Sequence, residues 1–449
     1  MQHKLCGPGA MNVPIIYRFH GQLDVMQLNY AVSGLVRRHE ALRTGFSWRE
    51  SKDSPLGELE QVIYAPEAVD VPICDVSAEP DPYSAARGIM DQNLREDASL
   101  SSGRPFTAEL FRLAPDDHIF MLKLHHIITD AWSNDVLRRD LRAYYNDDEG
   151  PGLEPPRWTF RDYVQWRQER LEGRSQSSHE PFWRKELAKA KPLSPRLSSA
   201  GESLVRESGR LPVTNTLRFE IPDSDIAALR ALAVRERCTL FVVMLALFFA
   251  AIHLECDVDD IAVGAAMANR SRRELYNVVG TFANLAVIGA TWEKDPSFAD
   301  VLTAVRRSAL EVLGHQQYPF LNVLTDGTMA KKARRVGRVN FNMLALPDGM
   351  ISARYDNTGF HGLFAESLPI PPGMHGRFEL DALIFPQDGA YWAEYRYTTD
   401  RFARSFVEGL MERYQRLIRL AIDNPAASLA KAAGGGDSSA TANVSDPGL

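Results

Sequence analysis

The chain has 449 residues, of which 45% are hydrophobic and 24% charged, a globular balance that excludes general disorder. Its formal net charge of −7 argues against a nucleic-acid surface, because phosphate backbones need a concentrated basic face. At roughly 100–200 residues per domain, two or three domains are expected.

The chain opens on "MQHKLCGPGAMNVP", with prolines and glycines where a secretion signal would need an apolar run. The four cysteines, Cys6, Cys74, Cys238 and Cys256, are scattered and form no metal-binding spacing. They read as free thiols, and a cytoplasmic, soluble protein is expected. "VPIIYRFHG" is apolar and β-branched and predicts a strand stopped by Gly21. In "LDVMQLNYAVSGLVRRHEAL" the residues Leu28, Ala31, Val32, Leu35 and Val36 stand at helical spacing, so residues 24 to 42 read as a helix. "HIFMLKLHHI" reads as a buried strand, and "SNDVLRRDLRAYYND" as an amphipathic helix with Ser133 as its cap.

"DDEGPGLEPPR" then breaks all periodicity, and a domain boundary is expected between 172 and 212. There "EGRSQSSHE" and "KPLSPRLSSAGESLVRESGRLP" flank a short helix candidate, "PFWRKELAKA". The second half resumes with strand "TLRFEIP", a helix over 223 to 236, and the apolar run "LFVVMLALFFAAIHL". A bilayer span takes about 20 residues, so this run predicts a core helix, with Thr239 as N-cap, and no membrane partner. Strands "DIAVGAAMA", "FELDALIFP" and "YWAEYRYTT" and a helix in "FARSFVEGLMERYQRLIRLAI" follow. The tail "AAGGGDSSATANVSDPGL" is low-complexity and is expected to be disordered. The two halves share a rhythm of strand, long helix and a later strand ending at a turn, without a sequence repeat.

The chemistry concentrates in "KLHHIITDAWSND", residues 123 to 135. His125 and His126 are consecutive, so on a strand they face opposite sides and cannot easily share one ion, and no other His or Cys cluster lies nearby in sequence. A structural pair, each ring satisfied by backbone groups, fits His125 on the packed side. The catalytic alternative needs one neutral imidazole aimed into a cleft, where a pKa of about 6.5 lets it take and return a proton. Asp130 then orients the ring or the loop, directly or through an arginine.

"HHIITDA" resembles the HHxxxDG signature of the condensation domains of non-ribosomal peptide synthetases, within the chloramphenicol-acetyltransferase-like acyltransferases. Further stretches match in the family's order. "RRHEALRTGF" is similar to RHExLRTxF, "FRDYVQWR" to YxDYAxW, "VVGTFANLAVI" to IGxFVNT and "GHQQYPFLNVL" to HQDYPFE. "MNVPIIYRFHGQLDV" resembles the usual first strand, and the last strand pair also fits, so the likeness spans about residues 5 to 425.

The resemblance implies an α/β (α+β two-layer) fold. Two chloramphenicol-acetyltransferase-like lobes would form a V-shaped pseudo-dimer with a central tunnel. The lobes are expected at 1–172 and 173–430, with 431–449 as the tail. By analogy, a segment around 265 to 290 would bridge beneath the tunnel, and a stretch near 345 to 380 would cross from the second lobe to the first. His126 would be the catalytic imidazole, grouped with His125 and Asp130. Arg38, Arg43 and Arg270 are candidate ion-pair partners of Asp130, supporting the loop. Trp132 is read either as lining the donor side of the tunnel or as anchoring the loop. Asn284 and Tyr318 are candidate tunnel residues, while Phe282, Pro319 and Phe320 fit core packing equally well.

Ala131 stands where the family usually has Gly, at a place where glycine permits backbone angles that alanine dislikes. The family's opening helix is not found ahead of "GPGAMNVP", and no adenylation or carrier domain follows. A free-standing condensation enzyme is therefore expected, making an amide or ester in natural-product biosynthesis. No bound cofactor and no metal are expected. The acyl or aminoacyl donor would arrive as a thioester on the phosphopantetheine arm of an acyl or peptidyl carrier protein in trans. A small-molecule amine or alcohol would accept it. A CoA-dependent acyltransferase of the same fold and a non-catalytic recruitment module are the alternatives, and the plant-type DFGWG segment is absent.

Overall fold

The computed structural model describes residues 9–49, 58–101, 103–147, 152–172, 176–191, 193, 214–327, 329–344, 359–368, 378–387 and 390–430. The tail expected at 431–449 lies outside them. The first half runs β1 (Asn12–His20), α1 (Val25–Arg38), β2 (Thr44–Arg49), β3 (Glu58–Ile63), β4 (Ile73–Asp75) and α2 (Pro82–Arg95). It continues with β5 (Phe106–Ala114), β6 (Asp117–His125), α3 (Ala131–Asn146), α4 (Phe160–Glu172) and α5 (Gln176–Lys189). The second half opens with β7 (Thr214–Ile221), α6 (Asp223–Arg235), α7 (Leu240–Cys256), β8 (Asp260–Met267) and β9 (Asn284–Thr291). Then come α8 (Phe298–Leu313), α9 (Phe320–Thr325), α10 (Ala330–Val336) and β10 (Val339–Met343). Last are β11 (Phe364–Ser367), β12 (Leu380–Gln387), β13 (Ala390–Thr398) and α11 (Arg404–Asp423).

Local chemistry explains most boundaries. Asp24 caps α1 by accepting the Gln27 N–H at 3.0 Å, and the expected apolar stripe of Leu28, Ala31, Val32, Leu35 and Val36 is buried. The helix stops earlier than expected. His39 takes extended angles, and Glu40–Arg43 form a separate 3-10 turn. Thr239 caps α7, and residues Val242 to Ile252 are all buried, so an apolar run with no polar face becomes a core helix. Among the described residues no single helix is long and apolar enough to cross a membrane. Among the described residues Cys74, Cys238 and Cys256 form no disulfide.

The chain divides into two compact units, and neither is contiguous. The first is Met1–Trp166 with Arg270–Phe282 and Leu346–His375; the second is Arg167–Asn269, Ala283–Ala345 and Gly376–Leu449. The division expected after residue 172 therefore becomes a cut inside α4, and two later segments return to the first unit. Hydrogen bonding is the reason for the second return: β11 pairs antiparallel with β1, Tyr17 opposite Ser367 and His20 opposite Phe364. The first unit's sheet thus has the order β11-β1-β6-β5-β4, and the second unit's has β7-β13-β12-β10-β8-β9. The expected linker between 172 and 212 carries α5, longer than the expected helix and with Pro181 inside it.

The rhythm shared by the two halves is a duplicated topology. In the first sheet β1–β6 and β6–β5 are antiparallel and β5–β4 parallel; in the second β7–β13 and β13–β12 are antiparallel and β12–β10 parallel. Each first strand leads into a helix, α1 or α6, and that helix packs on the helix that follows β6 or β13.

Candidate active site

β6 is a central strand covered on both faces, and every residue from His118 to His125 is buried. At its end the His125 N–H donates to the Pro105 carbonyl at 3.0 Å, and the His126 N–H to the Met11 carbonyl at 2.8 Å. The chain then turns, with Ile128 N–H on the His125 carbonyl at 3.0 Å. The His125 ring folds back into this turn, its Nδ1 accepting the Ile127 N–H at 3.0 Å. That bond leaves the ring proton on Nε2 and makes His125 a buried loop-former, although the resemblance grouped it with the catalytic residues. His126, one step past the strand, is half-buried. Among the described residues no group of three or more His, Cys, Asp or Glu is placed to hold a metal ion.

Asp130 ends the loop and caps α3. Its Oδ1 accepts the Ser133 N–H at 2.8 Å, its Oδ2 the Phe282 N–H at 3.0 Å, and Arg270 Nη2 lies 3.3 Å from Oδ1. The cap expected at Ser133 is therefore Asp130, one residue before the helix begins. Ser133 Oγ instead accepts from Arg270 Nη2 at 2.7 Å and from the Gly280 N–H at 3.1 Å, and donates to the Gly280 carbonyl at 2.7 Å. Arg270 is completely buried, with Nη1 on the carbonyls of Leu275 and Val278 and its guanidinium 3.9 Å from the Phe282 ring centre. Burial pushes the Arg270 pKa down against the pull of Asp130, but a guanidinium keeps its proton.

Of the three arginines expected near Asp130, only Arg270 has this role. Arg38 Nε pairs with Asp140 Oδ2 at 2.8 Å and its Nη2 donates to the Glu154 carbonyl at 2.7 Å. Asp140 sits ten residues beyond Asp130 on α3, about 15 Å along the axis at 1.5 Å per residue, which takes Arg38 away from the loop. His39 Nε2 at 2.9 Å and Arg139 Nη2 at 2.7 Å complete the shell around Asp140. Burial alone would raise the Asp140 carboxyl, yet the His39 hydrogen bond and the Arg139 guanidinium hold it below its usual range. Arg43 turns to the Tyr64 carbonyl and to Glu40 at 3.9 Å.

Ala131 is the first residue of α3 and is not among the residues with positive φ, so alanine carries no backbone strain there. Trp132 is an anchor: its Nε1 donates to the Tyr276 carbonyl at 2.9 Å and its ring lies 5.1 Å from that of Tyr276. Asn284 is engaged within the second unit, its Nδ2 donating at 2.7 Å to the carbonyls of Gln316 and Tyr318 and its Oδ1 accepting the Phe320 N–H at 3.0 Å. Tyr318 is buried, which raises its pKa, and joins the second unit's core with Phe320. Phe282 packs on Phe160 and Tyr163, and Pro319 precedes α9.

Sequence reasoning picked out the segment "VVGTFANLAVI" but not its central residues. Gly280, Thr281 and Phe282 grip the loop in succession: Gly280 holds Ser133, the Thr281 hydroxyl donates to the carbonyls of His126 and Thr129, and Phe282 holds Asp130. A Cβ at Gly280 would overlap the Phe160 ring, so this grip requires glycine. Among the described residues the duplicated fold makes one such loop. Five residues separate β13 from α11, as five separate β6 from α3, but Thr399 and Ala403 occupy the places of His126 and Asp130.

A family model described as the condensation domain matches residues 3–435. Enniatin synthase of Fusarium equiseti is 26% identical over 422 residues, which is 92% of this chain and 13% of that protein's length. SgcC5 of Streptomyces globisporus, solved with (R)-(-)-1-(2-naphthyl)-1,2-ethanediol and sucrose, superposes with a TM-score of 0.69 at 22% identity over 94% of both chains. The X-domain from teicoplanin biosynthesis gives 0.74 at 20% identity, over 95% of this chain and 92% of its own. At these identities the solved structures testify to the fold, the expected α/β, chloramphenicol-acetyltransferase-like one. Matched by the family model along nearly its whole length, the chain belongs to the condensation-domain family.

Proposed function

We propose that the chain is an acyltransferase that joins a carrier-bound acyl or aminoacyl thioester to an amine or alcohol. The observation that carries this reading is His126, a half-buried imidazole at the end of a buried central strand, with its own N–H and C=O both hydrogen-bonded. Condensation domains form amide or ester bonds in peptide biosynthesis, and the family match supports that chemistry here. A ring nitrogen of His126 takes the proton of the attacking amine or hydroxyl as the new C–N or C–O bond forms. The C–S bond breaks, and the thiolate leaving on the pantetheine arm takes a proton to become the thiol. General-base help of this kind is worth roughly 10²–10⁴-fold. Asp130 and Arg270 hold the loop and take no part in the proton transfer.

The donor is delivered in trans, on the phosphopantetheine arm of a separate carrier protein, and a small amine or alcohol accepts the acyl group. The test is a panel of loaded carriers and small amines or alcohols, read by mass spectrometry, with wild-type protein and His126→Ala. Product with the wild type and a loss of about 10²–10⁴-fold in the variant are expected. Undiminished turnover by a folded His126→Ala protein overturns the assignment. Running acyl-CoA beside the loaded carriers decides the donor.

A further inference from the structure

Resting on the reading of His126 just given, we infer that the Thr281 hydroxyl is a positioning group that sets the backbone of the catalytic histidine. Thr281 belongs to the Arg270–Phe282 segment that returns to the first unit. Its two neighbours are tied to α3: Gly280 exchanges two hydrogen bonds with Ser133 Oγ, and the Phe282 N–H is held by Asp130 Oδ2 at 3.0 Å. The Cα of Thr281 is thereby fixed from both sides. Its hydroxyl, half-buried, lies between the carbonyls of His126 and Thr129, the latter at 3.1 Å. One proton serves two oxygens that stand three residues apart in the loop.

The consequence falls on His126 because its other peptide group is held as well, by the Met11 carbonyl at 2.8 Å. With the N–H fixed from the β1 side and the C=O fixed from Thr281, both backbone torsions at His126 are constrained. Threonine suits the task, since a β-branched side chain has few χ1 states and delivers its oxygen to one place. Arg270 and Asp130 hold the far end of the loop and the start of α3. Their hydrogen bonds run to Ser133, to the Phe282 N–H and to the Leu275 and Val278 carbonyls, whereas Thr281 meets the His126 carbonyl, a separate function.

The test uses the full chain with Thr281→Val, Thr281→Ala and Thr281→Ser. In Thr281→Val the volume is kept and the hydroxyl is gone; a kcat about 10- to 100-fold lower at an unchanged KM is expected, the cost of a misplaced reacting group. Thr281→Ser, which keeps the oxygen, is expected to recover most of it. Should Thr281→Val fail to fold, comparing Thr281→Ala with Thr281→Ser isolates the same oxygen. The second readout needs no substrate. Nitrogen-15 ring resonances of His126, assigned by their loss in His126→Ala, are expected to move in Thr281→Val and to return in Thr281→Ser, while those of other histidines stay in place. Unmoved His126 resonances in the folded variants, or a Thr281→Ser protein no better than Thr281→Ala, overturn the inference. Turnover retained in His126→Ala instead overturns the catalytic assignment, and the ring resonances then still judge Thr281 by itself.

Discussion

Arg270 and Asp130 stand 140 residues apart in sequence and meet with 3.3 Å between Nη2 and Oδ1, both buried. The pair ties the start of α3 to the Arg270–Phe282 segment, with Ser133 and Gly280 as intermediaries. Two buried charges cost desolvation, which this geometry offsets through the Ser133 and Phe282 N–H groups on Asp130 and two carbonyls on Arg270.

Removing one partner leaves the other charge stranded. Arg270→Ala is expected to destabilise the first unit by about 3–5 kcal/mol, the range for a broken buried pair. Arg270→Met with Asp130→Asn, which removes both charges and keeps a capping side chain, is expected to recover part of the loss. Denaturant midpoints of the single and double variants check this, and equal losses in both would contradict it.

Gly280→Ala drives a methyl into the Phe160 ring, well inside contact distance. A loss of about 1–3 kcal/mol is expected, the cost of overpacking. Phe160→Leu in the same chain makes room and is expected to restore some of the melting temperature. A double-mutant cycle between the two positions measures the coupling.

Stability is expected to fall on mild acidification. Burial lowers the pKa of His39, His118, His179 and His315, and for His315 the neighbouring His179 adds to the effect. For His39 the pull of Asp140 acts the other way, but burial, helped by the positive charges of Arg38 and Arg139, outweighs it. A depressed folded pKa means that the unfolded chain binds protons first. The stability these rings contribute is therefore full above the unfolded value of about 6.5 and is lost as pH falls through the folded values. His179 Nδ1 and His315 Nδ1 lie 2.8 Å apart, so one must donate and the other accept, and protonating both sets two donors face to face. Melting temperatures between pH 8 and pH 5.5 are expected to fall with pH, less steeply in His315→Asn.

Asn284→Ala removes three hydrogen bonds that pin residues 316 to 320 in the second unit. Each buried backbone group left unmatched costs about 1–3 kcal/mol. Faster amide exchange at Phe320, whose N–H loses its Asn284 Oδ1 acceptor, is the expected outcome.

Where the information was local, the sequence was readable. Thr239 before an unbroken apolar run predicted α7 and its cap, and the spacing of Leu28, Ala31, Val32, Leu35 and Val36 predicted the buried face of α1. At the other helix start, Asp130 and Ser133 are both good caps, and the choice fell to Asp130, which also meets Arg270 and the Phe282 N–H. Strand β11 gave no usable pattern: four residues long, it exposes Phe364 and buries Ala365, and only its ladder with β1 reveals it.

By itself the sequence determined the two-histidine loop at the end of a buried strand and the family. Those follow from short-range pattern, because strand burial, helix caps and motif spacing are written within a few residues. Only the tertiary structure decided that Arg270, and not Arg38 or Arg43, holds Asp130, that His125 serves the loop, and that Thr281 reaches the His126 carbonyl. Each of those choices depends on which distant segment supplies the last donor or acceptor, and a buried polar group is satisfied by whatever the fold brings beside it.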